Sequence, residues 1–102
     1  MQTMISKEAT DALKQMGRHL RVLRIDRKDR QSDFAARLGV SIPTLRKLEQ
    51  GDPSVAIGTW VDAFWLLGRL DDLVKALAPK TSLFDQFEKQ SQASTRKRAP
   101  KK

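Results

Sequence analysis

The stretch from Gln31 to Gly51, Gln-Ser-Asp-Phe-Ala-Ala-Arg-Leu-Gly-Val-Ser-Ile-Pro-Thr-Leu-Arg-Lys-Leu-Glu-Gln-Gly, decides the fold of this chain. It predicts two short helices, over about 31–38 and 42–50, joined by a sharp turn at Gly39. Glycine is the residue that best tolerates the left-handed conformation at a helix end. Ser41 stands where its hydroxyl can accept a bond from the free amide of Thr44 and so open the second helix. Pro43 falls in that helix's first turn, where a missing N–H does no harm. In this register Phe34, Leu38, Val40, Leu45 and Leu48 face inward, while Ile42, Pro43, Arg46 and Lys47 face out. An apolar inner face and a basic outer face on so short a unit predict a polyanionic partner. Two helices so joined make a helix-turn-helix, the motif whose second helix enters the major groove of DNA.

Working outward, the charge is unevenly spread. Residues 1–50 carry 11 Lys/Arg against 6 Asp/Glu, residues 51–90 carry 4 against 6, and residues 91–102 carry 5 against none, within a total of +8. Two basic blocks around an acidic, aromatic middle point to nucleic acid rather than to a uniformly cationic protein. With 102 residues the chain holds one domain, and a hydrophobic share of 39% leaves part of it without a core. There is no cysteine, which excludes disulfides and thiolate chemistry and fits a reducing compartment. No apolar run approaches the roughly 20 residues of a membrane helix, and the first residues do not make a signal peptide. A cytoplasmic, nucleoid-associated protein is the expectation.

Before the central stretch, Ser6 caps a first helix on which Leu13, Met16, Leu20 and Leu23 form one apolar stripe. Gly17 lies beside that stripe and costs about 1 kcal/mol against Ala, a cost that close approach of another helix would explain. Asp26-Arg27-Lys28-Asp29-Arg30 reads as the loop that follows. After the turn Gly51-Asp52-Pro53-Ser54, a fourth helix over about 57–67 carries more apolar residues than one stripe needs. Trp60 and Phe64, four apart, read as core. Trp65 and Leu66 fall to the side and read as a dimer or partner interface, a surface type enriched in aromatic residues. Gly68 ends this helix. A fifth begins near Asp71 and Asp72, whose carboxylates suit the positive helix end, and is expected to bury Leu73, Val74 and Leu77. The expectation is therefore an all-α, five-helix repressor-like domain over residues 6–78. A C-terminal extension follows over 79–102, with a disordered basic tail from about 91. In the extension, Leu83, Phe84 and Phe87 continue the interface reading. The five tail cations would add salt-dependent affinity without sequence preference. His19 reads as a surface residue.

Gln31, Phe34-Ala35, Leu38-Gly39-Val40-Ser41 and Thr44-Leu45-Arg46-Lys47-Leu48-Glu49-Gln50-Gly51 resemble the phage-repressor (Xre-type) helix-turn-helix family over roughly residues 13–78. The segments Gly51 to Thr59 and Leu67 to Leu73 are similar to a narrower group, the HipB-type antitoxins. The resemblance implies a homodimeric repressor of its own operon that binds double-stranded operator DNA, with a HipA-type serine/threonine kinase toxin as partner. A solitary Xre-type regulator with no toxin partner is the alternative. Carried over by position, the implied DNA-binding set is Gln31, Ser41, Ile42, Pro43, Thr44, Arg46 and Lys47. Gln31 would touch a phosphate, and Arg46 would read guanine by a bidentate bond or hold a phosphate. Lys47 would hold a phosphate. Arg24 and Glu49 match a structural ion pair between the first and third helices. Where the family usually has Ser or Thr capping the second helix, this chain has Arg30, and Asp29 is the substitute cap. An enzyme fails on inventory, with no Cys, no Tyr, one His and no carboxylate pair beside a plausible base. No cofactor or metal is called for.

Overall fold

The computed structural model describes residues 5–80, and these form five helices: α1 (Lys7–Asp26), α2 (Gln31–Leu38), α3 (Ile42–Glu49), α4 (Ile57–Leu66) and α5 (Leu70–Ala76). Among the described residues there is no strand. The basic tail, Leu83, Phe84 and Phe87 lie outside them.

Each start and stop has a local cause. Ser6 opens α1 by accepting from the Ala9 amide at 2.9 Å. The helix ends where Lys28 turns to φ 59°, and the Asp29 amide closes back on the Arg24 carbonyl at 3.1 Å. α2 begins at Arg30 with no side-chain bond to its first turn, and ends on Gly39 at φ 79°. Asp29 does not cap it; its carboxylate instead pairs with Arg37 at 2.6 Å. The guanidinium is a stronger partner than a neutral amide, and it draws Asp29 along the helix side. Ser41 opens α3, accepting from the Thr44 amide at 3.2 Å and donating to the Thr44 hydroxyl at 3.0 Å.

The core is the convergence of one apolar stripe from each of α1 to α4: Leu20, Phe34, Ala35, Leu45, Leu48, Trp60, Ala63 and Leu67 are buried. α1 and α2 both pack on α3, and α2 and α5 both pack on α4. Leu13, Met16, Leu23, Leu38, Val40 and Phe64 close the cluster from its edge, with Phe64 stacked on Trp60 at 6.2 Å between ring centroids.

Ile42 and Leu66 also pack against this core half-buried, rather than standing fully outward or to the side. Ile42 is the first residue of α3, where the chain is still turning off the core. Leu66 lies one residue before the buried Leu67, where α4 ends. α5 departs most from expectation. It buries no residue fully; Leu73 is half-buried, while Val74 and Leu77 are 60% and 79% exposed. Its apolar stripe is continuous, but only its first part meets α4.

Gly17 explains how α1 and α3 fit. It is buried, and a methyl group there would lie 2.5 Å from the Glu49 carbonyl oxygen and 2.7 Å from the Gly51 nitrogen. Gly51 in turn sits at φ 75° with its α-carbon against the Leu13 carbonyl. The two glycines bring the α3 end directly onto the α1 backbone. Gly17→Ala gains about 1 kcal/mol of helix propensity but pushes on main chain that cannot rotate away, and overpacking of this kind costs about 1–3 kcal/mol. Net destabilisation is the expected result in urea titration. A variant as stable as the parent would show that the two backbones separate at no cost.

Candidate nucleic-acid interface

α3 is eight residues long, and its capping, its rear and its outer face are set by different groups. The Ser41 hydroxyl fixes the first turn. Leu45 and Leu48 are fully buried and fix the rotation of the helix about its axis. With that rotation set, Pro43, Arg46, Lys47 and Gln50 are all exposed. Their spacing of three and four residues puts them on one side of the helix. Gln50 belongs to this face and was missed in the sequence reading; it follows Pro43 by seven residues and Arg46 by four, which is the signal that finds it. Ser41 is exposed beside the first turn and Thr44 is half-buried, both already engaged with each other.

The C-terminal end of α3 is held from behind by a buried polar network. The Arg24 guanidinium grips the Glu49 carboxylate with two bonds, Nε to Oε2 at 2.5 Å and Nη2 to Oε1 at 3.2 Å. The side chains are only 7% and 4% exposed. Arg24 also donates through Nη1 to the Asp29 carbonyl at 2.7 Å, tying in the α1–α2 loop. The Gln31 side-chain amide donates to Glu49 Oε1 at 3.3 Å. Among the described residues no buried side-chain polar atom lacks a partner, so the network carries no unmet desolvation cost. Gln31 is half-buried and turned toward Glu49 rather than freely into solvent. Its amide has a second N–H to offer. These bonds tie the first residue of α2, the loop before it and the last residue of α3 to one another.

The electrostatics of the outer face are positive at Arg46 and Lys47, with one opposing group. Asp52 accepts from the Ser54 amide at 2.8 Å, and this bond, helped by the Ser54 hydroxyl and the Lys47 charge, holds its carboxyl below the usual carboxylate range. Asp52 therefore stays ionised and marks the boundary of the basic surface. Among the described residues no group of His, Cys, Asp or Glu is arranged to hold a metal ion, and no helix is long and apolar enough to cross a membrane.

A rigid two-helix unit with a capped, basic, outward second helix is the working part of a DNA-binding protein. The chain matches the family model of the helix-turn-helix domain over residues 15–77, from within α1 to the end of α5, and it belongs to that family. No curated protein and no solved structure matches it.

Proposed function

We propose that this protein is a sequence-specific transcriptional repressor that places α3 in the major groove of operator DNA. The observation that carries the reading is the exposed row Pro43, Arg46, Lys47 and Gln50 on a helix whose rotation is fixed by Leu45 and Leu48 and whose end is anchored by Arg24, Glu49 and Gln31. Base recognition needs side chains held in register, and this anchoring supplies it. Arg46 reads a guanine edge. Lys47, the second amide hydrogen of Gln31 and the α3 first turn at Ser41, Pro43 and Thr44 meet the flanking backbone. Ile42, half-buried, offers what remains of its side chain to a thymine methyl.

The protein acts as a dimer on this reading. One eight-residue helix reads too few bases to stand out against a genome, and paired helices reach two half-sites about 34 Å apart. Selection of bound duplexes from a random pool should yield an inverted repeat with half-sites one helical turn apart. Recovery of unenriched sequences would overturn the repressor reading. The pairing surface is the flank of α4 and α5 where Trp65 is 62% exposed and lines a shallow groove with Gly68, Leu70, Asp71 and Val74. A cluster of exposed large apolar groups marks an interaction surface, and the acidic balance of residues 51–90 avoids the repulsion of two basic faces. Trp65→Glu should sediment as a helical monomer with much weaker operator binding; an intact dimer would move the interface elsewhere. The narrower resemblance supports a second role, as the antitoxin of a HipA-type kinase. A serine/threonine kinase gene beside this one would support it over a solitary regulator.

A further inference from the structure

Among the described residues the chain takes a positive φ at Lys28, Gly39, Gly51 and Gly68, and only at Lys28 is the residue not glycine. At φ 59° the lysine β-carbon crowds the following carbonyl, a strain that glycine would not have. Two residues on, Arg30 is the N-cap of α2 and makes no side-chain bond to its first turn. A serine there would accept a bond from a free amide, and a cation is disfavoured at the positive end of a helix. The loop between α1 and α2 thus holds two exposed cations at positions where local structure prefers glycine and serine. Local penalties kept side by side point to a use for the side chains themselves.

We propose that Lys28 and Arg30 clamp the DNA backbone beside the groove that α3 enters, each holding a phosphate. The clamp deepens the reading of α3 as the groove helix and rests on it. Three further observations support this partner. The first is placement. The Arg24 guanidinium bonds both the Asp29 carbonyl, at 2.7 Å, and the Glu49 carboxylate. That carbonyl belongs to the peptide leading into Arg30, so the loop is fixed against the end of α3. The second is availability. The loop's own acid, Asp29, is paired with Arg37, and the Arg27 guanidinium lies beside Gly68, toward the end of α4. Among the described residues neither Lys28 nor Arg30 pairs with Asp26, Asp33 or any other acid. The third is the opposite flank of α3. Residues 50–56 contain no Lys or Arg and include the ionised Asp52. Beyond α3 itself, the cations that hold the flanking backbone therefore come from the α1–α2 loop.

Lys28→Gly combined with Arg30→Ser sets stability against binding. The pair removes two charges and supplies the residues that the turn and the cap prefer, so Tm should rise by roughly 5 °C. Binding is measured across a salt series on two probes, the duplex recovered by selection and a mixed-sequence duplex. On both, the slope of log affinity against log salt should become shallower by about 1.8, as expected for two lost phosphate contacts. Arg30→Lys keeps the charge and should keep the parent's slope. An unchanged slope in the double variant would overturn the clamp and leave α3 in the groove. A Tm that falls together with affinity would make the loop structural, and a loss confined to the selected duplex would make these base contacts; either result overturns the proposal. Arg46→Ala with Lys47→Ala, measured in parallel, tests the α3 reading separately. That variant should lose its preference for the selected duplex, and a retained preference would remove α3 from the groove and the clamp with it.

Discussion

Glu49→Ala is expected to lower the free energy of unfolding by about 3–5 kcal/mol, because it leaves the Arg24 guanidinium buried without its carboxylate. The geometry makes this one of the largest single effects available. Both side chains are more than nine-tenths buried, so solvent screening does not discount the pair. Glu49 also holds the Gln31 amide, and Arg24 holds the Asp29 carbonyl, so the loss spreads to the α1–α2 loop and the start of α2. Domains of this size have a total stability of about 5–15 kcal/mol, and a loss of this size brings the variant close to unfolding at 37 °C. The double variant Arg24→Met, Glu49→Leu separates two meanings of the result. If the cost comes from an orphaned charge, the apolar pair should recover most of the stability, while DNA affinity stays reduced because Gln31 has lost its anchor. Urea titration with an unchanged m-value is the measurement. A Glu49→Ala midpoint equal to that of the parent would show that water reaches Arg24 and that the network does not hold α3.

How much of this was legible in the sequence depends on what kind of force sets each feature. The α2–α3 unit was readable because its signals are local: a glycine at the left-handed cap, a serine at the N-cap and leucines three apart, each acting within one turn. The α5 stripe shows where local reading stops. Leu73, Val74 and Leu77 recur as a buried helix face would, and the sequence predicts burial. The described chain offers them only a partial partner, so Val74 and Leu77 stand exposed. Periodicity tells which face of a helix is apolar, and says nothing about whether its cover comes from the same fold. Asp29 failed as a cap for a related reason. Its position was right for the role, but Arg37, one helix length away, competes for the carboxylate. Gln31 is the most instructive of the candidate contacts. The family resemblance points its amide at a phosphate, and folding also brings Glu49 within 3.3 Å of it, an arrangement no spacing within α2 reveals. Gly17 was marked as anomalous by its propensity cost, but the identity of what it touches, the main chain at Glu49 and Gly51, required the tertiary structure.

Replacing both Arg46 and Lys47 with Ala should abolish specific operator binding, with affinity falling roughly 100-fold or more, and should leave the fold intact. The affinity side follows from what the residues offer. A bidentate arginine contributes about 1–3 kcal/mol of base discrimination, and each lost phosphate contact removes further salt-dependent binding. The stability side is a balance of small terms. Both residues are exposed on the last turn of α3, where cations favour the negative helix end by about 0.3–1 kcal/mol each. Alanine returns part of this through propensity, and substitutions at exposed positions usually stay within about 0.5 kcal/mol. The Lys47 charge also helps keep Asp52 ionised, an interaction through solvent too weak to change the balance. Arg46→Lys then divides the remaining possibilities, since lysine keeps the charge and loses the planar fork. If Arg46 reads a base, the lysine variant should lose discrimination at one base pair of each half-site. If it holds a phosphate, binding should weaken evenly across all sequences. Undiminished operator affinity in the double alanine variant would remove α3 from the groove and leave the basic face of this helix without a role in DNA recognition.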